Sequence, residues 1–289
     1  MILIVGSTGA LGSSVTKGLL ASHRNVAAFI RDDSTPTARE LRADGASLVV
    51  GDLKSRPTID MAMKGIDTVV CTASSTLSRR EGDSIETVDR MGVQDLISAS
   101  ISARIMHFIY VSFSRNIGDD FPLALAKRAA EARLESSAID YTILLPSHFA
   151  ECLFTPVVGF DVANGKVRVY GTGKSKVSHV ALEDVARAII ACVDNPRVIR
   201  KSMPIGGPSS ITQLDAVALA ERVTGRKVQL EFMSADEIAA ARKGTEDSLT
   251  ASFLGLFDAL SKGDEIISEW AGTLGVKLQS MEDWFSARS

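Results

Sequence analysis

The sequence predicts an α/β fold: a doubly wound parallel sheet followed by a smaller, mainly helical C-terminal lobe. Three observations lead there. In the first half, short β-branched runs alternate with longer stretches of helical periodicity, the pattern of strand–helix–strand crossovers. Several of those runs are continuously apolar instead of alternating, as parallel strands buried on both faces require. A glycine-rich loop, Gly6-Ser-Thr-Gly9-Ala-Leu-Gly12, joins the first run to the first helix, which makes the sheet Rossmann-type.

Taken in order, the strands are expected at 2–5, 26–30, 48–50, 68–71, 107–111 and 141–145. Helices at 11–21, 84–101 and 123–136 lie between them, and right-handed crossovers follow from that alternation. Beyond about residue 156 the rhythm changes. The stretch from Asn164 to Lys174 reads as one strand with glycine loops at both ends, and helices at 182–193, 212–224, 235–242 and 249–260 follow. Residues 1–155 are thus assigned to a dinucleotide-binding domain. Residues 156–289 form a substrate-binding lobe, from which a strand can return to the main sheet.

Composition narrows the function classes. The 289 residues are 45% hydrophobic and 23% charged, with a net charge of −3 and no basic run longer than Arg79-Arg80. That balance argues against nucleic-acid binding. No apolar stretch approaches the roughly 20 residues of a membrane span, and the N-terminus lacks the basic region of a signal peptide. Three widely spaced cysteines and four histidines without ligand spacing argue against a metal site. A cytoplasmic protein acting on a small molecule is the expectation.

The glycine loop carries the clearest chemistry. Gly6 permits a tight turn out of the strand, Gly9 lets a pyrophosphate approach the helix N-terminus, and Gly12 lets the helix pack against the strand. Gly6, Thr8, Gly9, Ala10, Leu11 and Gly12 are the candidate contacts of this loop. About twenty residues further on, the residue after the second strand reads the adenosine ribose. Here it is Arg31, whose planar fork suits a 2′-phosphate, so NADP(H) is expected over NAD(H), with Arg39 a second phosphate contact. The adjacent Asp32 and Asp33 would oppose a phosphate if they faced it, and a plain surface arginine is the alternative. After the third strand, Asp52 and Leu53 are candidates for the adenine, or Asp52 is a turn carboxylate. Thr72, Ala73 and Ser74 follow the fourth strand, where backbone groups reach the second ribose and phosphate. Ser112 and Ser114 follow the fifth, where a substrate carbonyl would lie or where they cap a turn.

Together with Val50-Gly-Asp52, His107-Phe-Ile-Tyr-Val-Ser112, Lys127-Arg-Ala-Ala-Glu131, Asp140-Tyr-Thr-Ile-Leu-Leu-Pro146, Ser178-His-Val-Ala-Leu-Glu-Asp184 and Ile205-Gly-Gly-Pro208, these motifs resemble the NmrA-like atypical short-chain dehydrogenase/reductases. That group includes NADPH-dependent quinone reductases, isoflavone-type reductases and cofactor-sensing regulators. The resemblance implies that Lys127 holds the nicotinamide ribose and takes part in catalysis. The tyrosine that usually stands four residues earlier is replaced by Leu123, which carries no proton. An exposed i,i+4 pair of Lys127 with Glu131 is the alternative. The resemblance also places Pro146 and Phe149 against the nicotinamide. It makes His148 an acid or polar clamp of near-neutral pKa, or a packed histidine. Leu145 stands where the family often has arginine. Tyr110, inside a central strand, is expected to be packed, and His179 to be structural. Phe149, Phe154, Phe160 and Met233 are candidate lining residues. The implied function is NADPH-dependent hydride transfer to a small apolar electrophile such as a quinone or enone. The alternative is a non-catalytic NADP(H)-sensing regulator or assembly protein, with a homodimer or a regulatory protein as partner.

Overall fold

A computed structural model describes residues 1–78 and 80–288. Arg79, of the basic pair noted above, and Ser289 lie outside the described residues. In chain order the first elements are β1 (Ile2–Val5), α1 (Ala10–Ala21), β2 (Val26–Ile30), α2 (Pro36–Ala43), β3 (Ser47–Val50), α3 (Arg56–Ala62) and β4 (Thr68–Cys71). A π-helical segment, Ile85–Gly92, runs into α4 (Val93–Ser102), followed by β5 (His107–Val111), α5 (Pro122–Glu135), β6 (Asp140–Pro146) and α6 (Ala150–Leu153). Then come β7 (Phe160–Asp161), β8 (Lys166–Tyr170), β9 (Lys176–Val177), α7 (Leu182–Cys192), β10 (Lys201–Ile205), β11 (Ile211–Thr212), α8 (Gln213–Thr224) and β12 (Gln229–Met233). The chain continues with α9 (Ala235–Lys243), α10 (Ser248–Lys262), α11 (Glu269–Thr273) and α12 (Met281–Ser286).

The chain divides into two compact units, and the division is discontinuous. The first comprises Met1–Ser112, Leu125–Leu144 and Ala186–Met203; the second comprises Phe113–Ala124, Leu145–Val185 and Pro204–Ser289. The single boundary expected at 155 therefore gives way to several crossings, because α5, β6, α7 and β10 each begin in one unit and end in the other.

In the first unit the sheet order is β3-β2-β1-β4-β5-β6-β10. Strand β1 pairs in parallel with β2 on one side and β4 on the other, with Val5 beside Phe29 and Cys71. The order of connection reverses at β1, and open α/β sheets bind ligands at that switch, beyond the C-terminal ends of the strands. All of β1, β2, β4 and β5 is buried, which explains why these strands read as unbroken apolar runs. Ala28, Ile30, Ala38, Leu41 and Ala46 pack as one cluster beneath α2.

The second unit holds more sheet than expected. A three-stranded sheet, β12-β8-β7, and a two-stranded one, β11-β9, accompany the helices. Around them Ala150, Ala181, Ala216, Ala220, Met281, Trp284 and Phe285 form one core, and Tyr170, Val177, Ile238, Leu254 and Leu260 another. Among the described residues no helix is long and apolar enough to cross a membrane, and no group of three or more His, Cys, Asp and Glu could hold a metal ion.

Candidate active site

The glycine loop stands at the switch. Gly6 has φ +90°, a left-handed conformation that favours glycine. A Cβ on Gly12 would lie 2.2 Å from the Gly6 carbonyl oxygen and 2.8 Å from the Thr72 hydroxyl. Helix α1 opens on Gly9 without a side-chain cap and without an acidic residue in its first turn. Its first N–H groups and the positive end of its dipole thus face an anion without a protein carboxylate in competition. These are the features of a cradle that fits a dinucleotide pyrophosphate. The Thr72 hydroxyl and amide both donate to the Val5 carbonyl, at 3.2 and 2.9 Å, so the end of β4 is tied to the end of β1. Ala73 is buried beside Gly6, and Ser74 is exposed. The structure thus brings Gly6, Gly12, Thr72 and Ala73 together.

Arg31 is neither solitary nor hemmed in by its two neighbours. Asp33 pairs with Arg42 at 3.0 Å. Asp32 turns back onto the Ser34 hydroxyl and amide, which hold its carboxyl below the usual range. Arg31 instead donates to Asp83, a carboxylate that Lys54 and Ser78 also reach. Asp52 accepts from the Lys54 amide at 2.8 Å, so its turn role is real. Leu53 is buried against Gly92 of the π-helical segment.

Sequence reasoning passed over Asp83, Lys54 and Asp89. Asp89 is 1% exposed, and its Oδ2 accepts from the Ser75 amide at 2.9 Å and hydroxyl at 2.6 Å. That bond ties the π-helical segment to the loop after β4. The signal was present, since Ile85, Val88, Asp89 and Gly92 share one helical face and all are buried.

Lys127 is 6% exposed, not a surface residue. Its Nζ donates to the Val111 carbonyl at 2.9 Å, at the C-terminal end of β5, and lies 5.0 Å from the Tyr110 ring centroid. The i,i+4 pairing with Glu131 does not form. Glu131 is itself buried and accepts from Arg128 and from the Ser112 hydroxyl. Ser112 is thus committed as a donor within the first unit, although its oxygen still has lone pairs to accept with. Tyr110 is fully buried, and burial pushes its phenol well above 10, in keeping with a packed residue. In the second unit, the Leu123 amide donates to the Ser252 hydroxyl at 3.0 Å and its side chain is buried.

Also in the second unit, Asp264 organises the turn after β6. Its carboxylate accepts from Ser114 at 2.7 Å, Asn116 at 3.0 Å and Ser147 at 2.8 Å. Ser114 is therefore a donor to a buried carboxylate, and it also caps the short turn after it. The Pro146 carbonyl accepts from the Ser114 amide at 2.8 Å, and Phe149 opens α6 and bridges to Val180. His148 is buried, and burial pulls its pKa down to about 4, against the opposing charge of Asp264. The near-neutral value expected for it is corrected accordingly: at pH 7 the ring is neutral, and its Nε2 is buried without a hydrogen-bond partner. His179 is wholly buried, its ring edge-on to Phe154 at 5.0 Å, and neither ring nitrogen has a protein partner. It lines a cavity of about 20 Å³ with Phe154, Phe160, Tyr170 and Gln213, room for about one water molecule. Phe154 and Phe160 are thus lining residues of that cavity, whereas Met233 packs against the core around Tyr170.

Burial lowers the pKa of three histidines: His107 to about 4, His148 to about 4 and His179 to about 3. An unfolded histidine takes up its proton near pH 6.5, so between there and pH 4 the unfolded chain binds more protons and stability falls as pH falls. Each ring contributes about 1.4 kcal/mol per pH unit in that window. Urea unfolding at pH 7 and pH 5 will show the loss, and His107→Gln will remove one ring's share of it. A flat profile between those pH values would contradict the assigned burial.

Comparison with known proteins agrees with this geometry. The family model described as NAD(P)H-binding matches residues 6–196. A Photosystem II assembly factor, Ycf39 of Trieres chinensis, is 27% identical over 231 residues, covering 79% of this chain and 70% of that protein. An NAD(P)H azoreductase of Xenophilus azovorans is 25% identical over 247 residues, covering 84% of this chain and 81% of its own. In fold, the chain is similar to the Escherichia coli NADPH-dependent quinone oxidoreductase QOR2 in complex with NADPH, with a TM-score of 0.81 at 21% identity over 100% of this chain and 99% of that one. With its glycine cradle at the switch of a doubly wound sheet, the chain belongs to the NAD(P)H-binding family.

Proposed function

We propose that this protein is an NADPH-dependent reductase that passes hydride to a small apolar electrophile such as a quinone or an enone. The observation that carries the reading is the pairing, within one unit, of the glycine cradle with a buried lysine amine at the end of β5. The nicotinamide, when bound, supplies the hydride; the protein's part is to bind, orient and protect. The N–H groups of the Gly6–Gly12 loop hold the pyrophosphate, Arg31 the 2′-phosphate, and Asp52 with Leu53 the adenine. Thr72, Ala73 and Ser74 take the second phosphate and ribose. Lys127 holds the nicotinamide ribose and carries a proton at Nζ, which compensates for the phenol missing at Leu123. Ser112 follows β5 in the same unit, its hydroxyl hydrogen held by Glu131. The reductase activities in the names of the azoreductase and of QOR2 support an apolar, conjugated acceptor.

The second reading is a protein that binds NADP(H) and acts through a partner. It is favoured by Leu123 in place of tyrosine and by the likeness to an assembly factor. Loss of reduced-nicotinamide absorbance, followed with NADPH and NADH over quinones, enones and azo compounds, separates the two. Turnover with one acceptor class establishes the reductase. Cofactor bound in the same wells without turnover establishes the partner-directed role. In that assay Arg31→Asp is expected to shift preference toward NADH by about tenfold or more, the worth of a charge-assisted phosphate contact. An unchanged preference would remove Arg31 from the cofactor site.

A further inference from the structure

Two cations from different loops meet at one buried carboxylate. Arg31 follows β2 and Lys54 follows β3; these strands are parallel neighbours with Ile30 beside Val50, so both loops leave the sheet at the same edge. Asp83 Oδ2 accepts from Arg31 and from the Ser78 hydroxyl, and Oδ1 accepts from Lys54. The carboxylate is held firmly. It lies between Gly82, at φ +76°, and Ser84, whose side chain caps the π-helical segment in a reciprocal bond with Thr87.

Exposure separates the three groups. The Asp83 side chain is 2% exposed, whereas those of Arg31 and Lys54 are 35% and 27% exposed. The anion sits beneath, and the two cations stay open to solvent above it. Burial pushes the Asp83 carboxyl up, but the bonds from Lys54, Ser78 and Arg31 outweigh it and hold the pKa at about 2, so the bridge stays charged at working pH. Two cations this close would repel each other without such a bridge. A phosphate monoester carries nearly two negative charges and three acceptor oxygens, which suits a pair of cations better than one.

We propose that Lys54 is the second cation of the 2′-phosphate clamp, set beside Arg31 by the buried Asp83 carboxylate. The inference rests on the reading of Arg31 as the 2′-phosphate contact, and it replaces Arg39 as the second contact. Arg39 lies on α2, and among the described residues the cations that bond Asp83 are Arg31 and Lys54. Lys54 also lies 3.7 Å from Asp52, so a phosphate would share that amine with two carboxylates.

The test is the ratio of the NADPH to the NADH dissociation constant, measured by titration on the intact protein and on Lys54→Met, Lys54→Arg and Arg31→Ala. Lys54→Met is expected to raise the ratio about tenfold, the worth of one charge-assisted contact. It is also expected to flatten the salt dependence of NADPH binding, while Lys54→Arg keeps the ratio within about threefold of the original. A purely structural lysine would weaken both cofactors equally, so an unchanged ratio in Lys54→Met overturns the proposal. Arg31→Ala tells the two failures apart. If it raises the ratio and Lys54→Met does not, only Lys54 is removed from the clamp. If Arg31→Ala leaves the ratio unchanged, the reading of Arg31 fails and the clamp falls with it. Should Lys54→Met not fold, Lys54→Gln gives the same ratio with the stem shortened and a hydrogen-bonding end kept for Asp83.

Discussion

Gly12→Ala is expected to abolish tight dinucleotide binding, raising the NADPH dissociation constant by about a hundredfold or more. The added methyl would stand 2.2 Å from the Gly6 carbonyl oxygen, a backbone atom that cannot rotate aside. Either the first turn of α1 lifts from β1 or the Gly6 turn opens, and both displace the N–H groups that face the pyrophosphate. Overpacking of this kind costs about 1–3 kcal/mol of stability, less than most domains possess, so the variant folds and its binding can be measured. Fluorescence titration with NADPH, alongside urea unfolding, separates the two losses. Binding within threefold of the original protein would show that the loop is a structural turn and not the cofactor cradle.

Lys127→Met is expected to lower turnover by about a hundredfold, the usual contribution of a positioned proton donor. The dissociation constant for NADPH should rise only severalfold. Methionine keeps the apolar stem that packs over Tyr110 but removes the amine that donates to the Val111 carbonyl. That carbonyl loses a partner, at a cost of about 1–3 kcal/mol in stability, which thermal unfolding will report separately. The division matters because Lys127 is buried, and a buried amine with a purely structural duty would produce the stability loss alone. Full activity in the methionine variant would place the proton elsewhere.

Local patterns were legible in the sequence; contacts between distant segments were not. Strands β1 and β2 start and stop where their apolar runs do, because both faces are covered, and β4 and β5 each add one buried polar residue, Thr68 or His107, at the start of such a run. Strand β10 went unassigned. Its Lys-Ser-Met-Pro-Ile sequence mixes exposed and buried positions and contains a proline, which weakens any strand signal. Strand β12, Gln-Leu-Glu-Phe-Met, lies partly exposed in a three-stranded sheet, so the lobe looked more helical than it is.

The candidate site divides the same way. Gly6, Gly9 and Gly12 were readable because a turn and a helix start are set within a few residues of each other. The environment of Arg31 was not, since Asp83 is 52 residues away in sequence. The titration of His148 was equally hidden, because it depends on burial and on Asp264, 116 positions further along the chain. Lys127 showed the reverse case. Its four-residue spacing to Glu131 left a surface pair as the alternative to a ribose-facing lysine, and α5 turns both residues inward and gives each a different partner.

The most direct test of the reductase reading is a single turnover. Protein saturated with NADPH is mixed rapidly with quinone and enone acceptors, using cofactor deuterated at either of the two C4 positions. Oxidation of one equivalent of bound NADPH, slowed by deuterium at one C4 position only, is the result expected of an enzyme that holds the nicotinamide in a single orientation. Bound NADPH that persists unoxidised before every acceptor would contradict it and leave the partner-directed role.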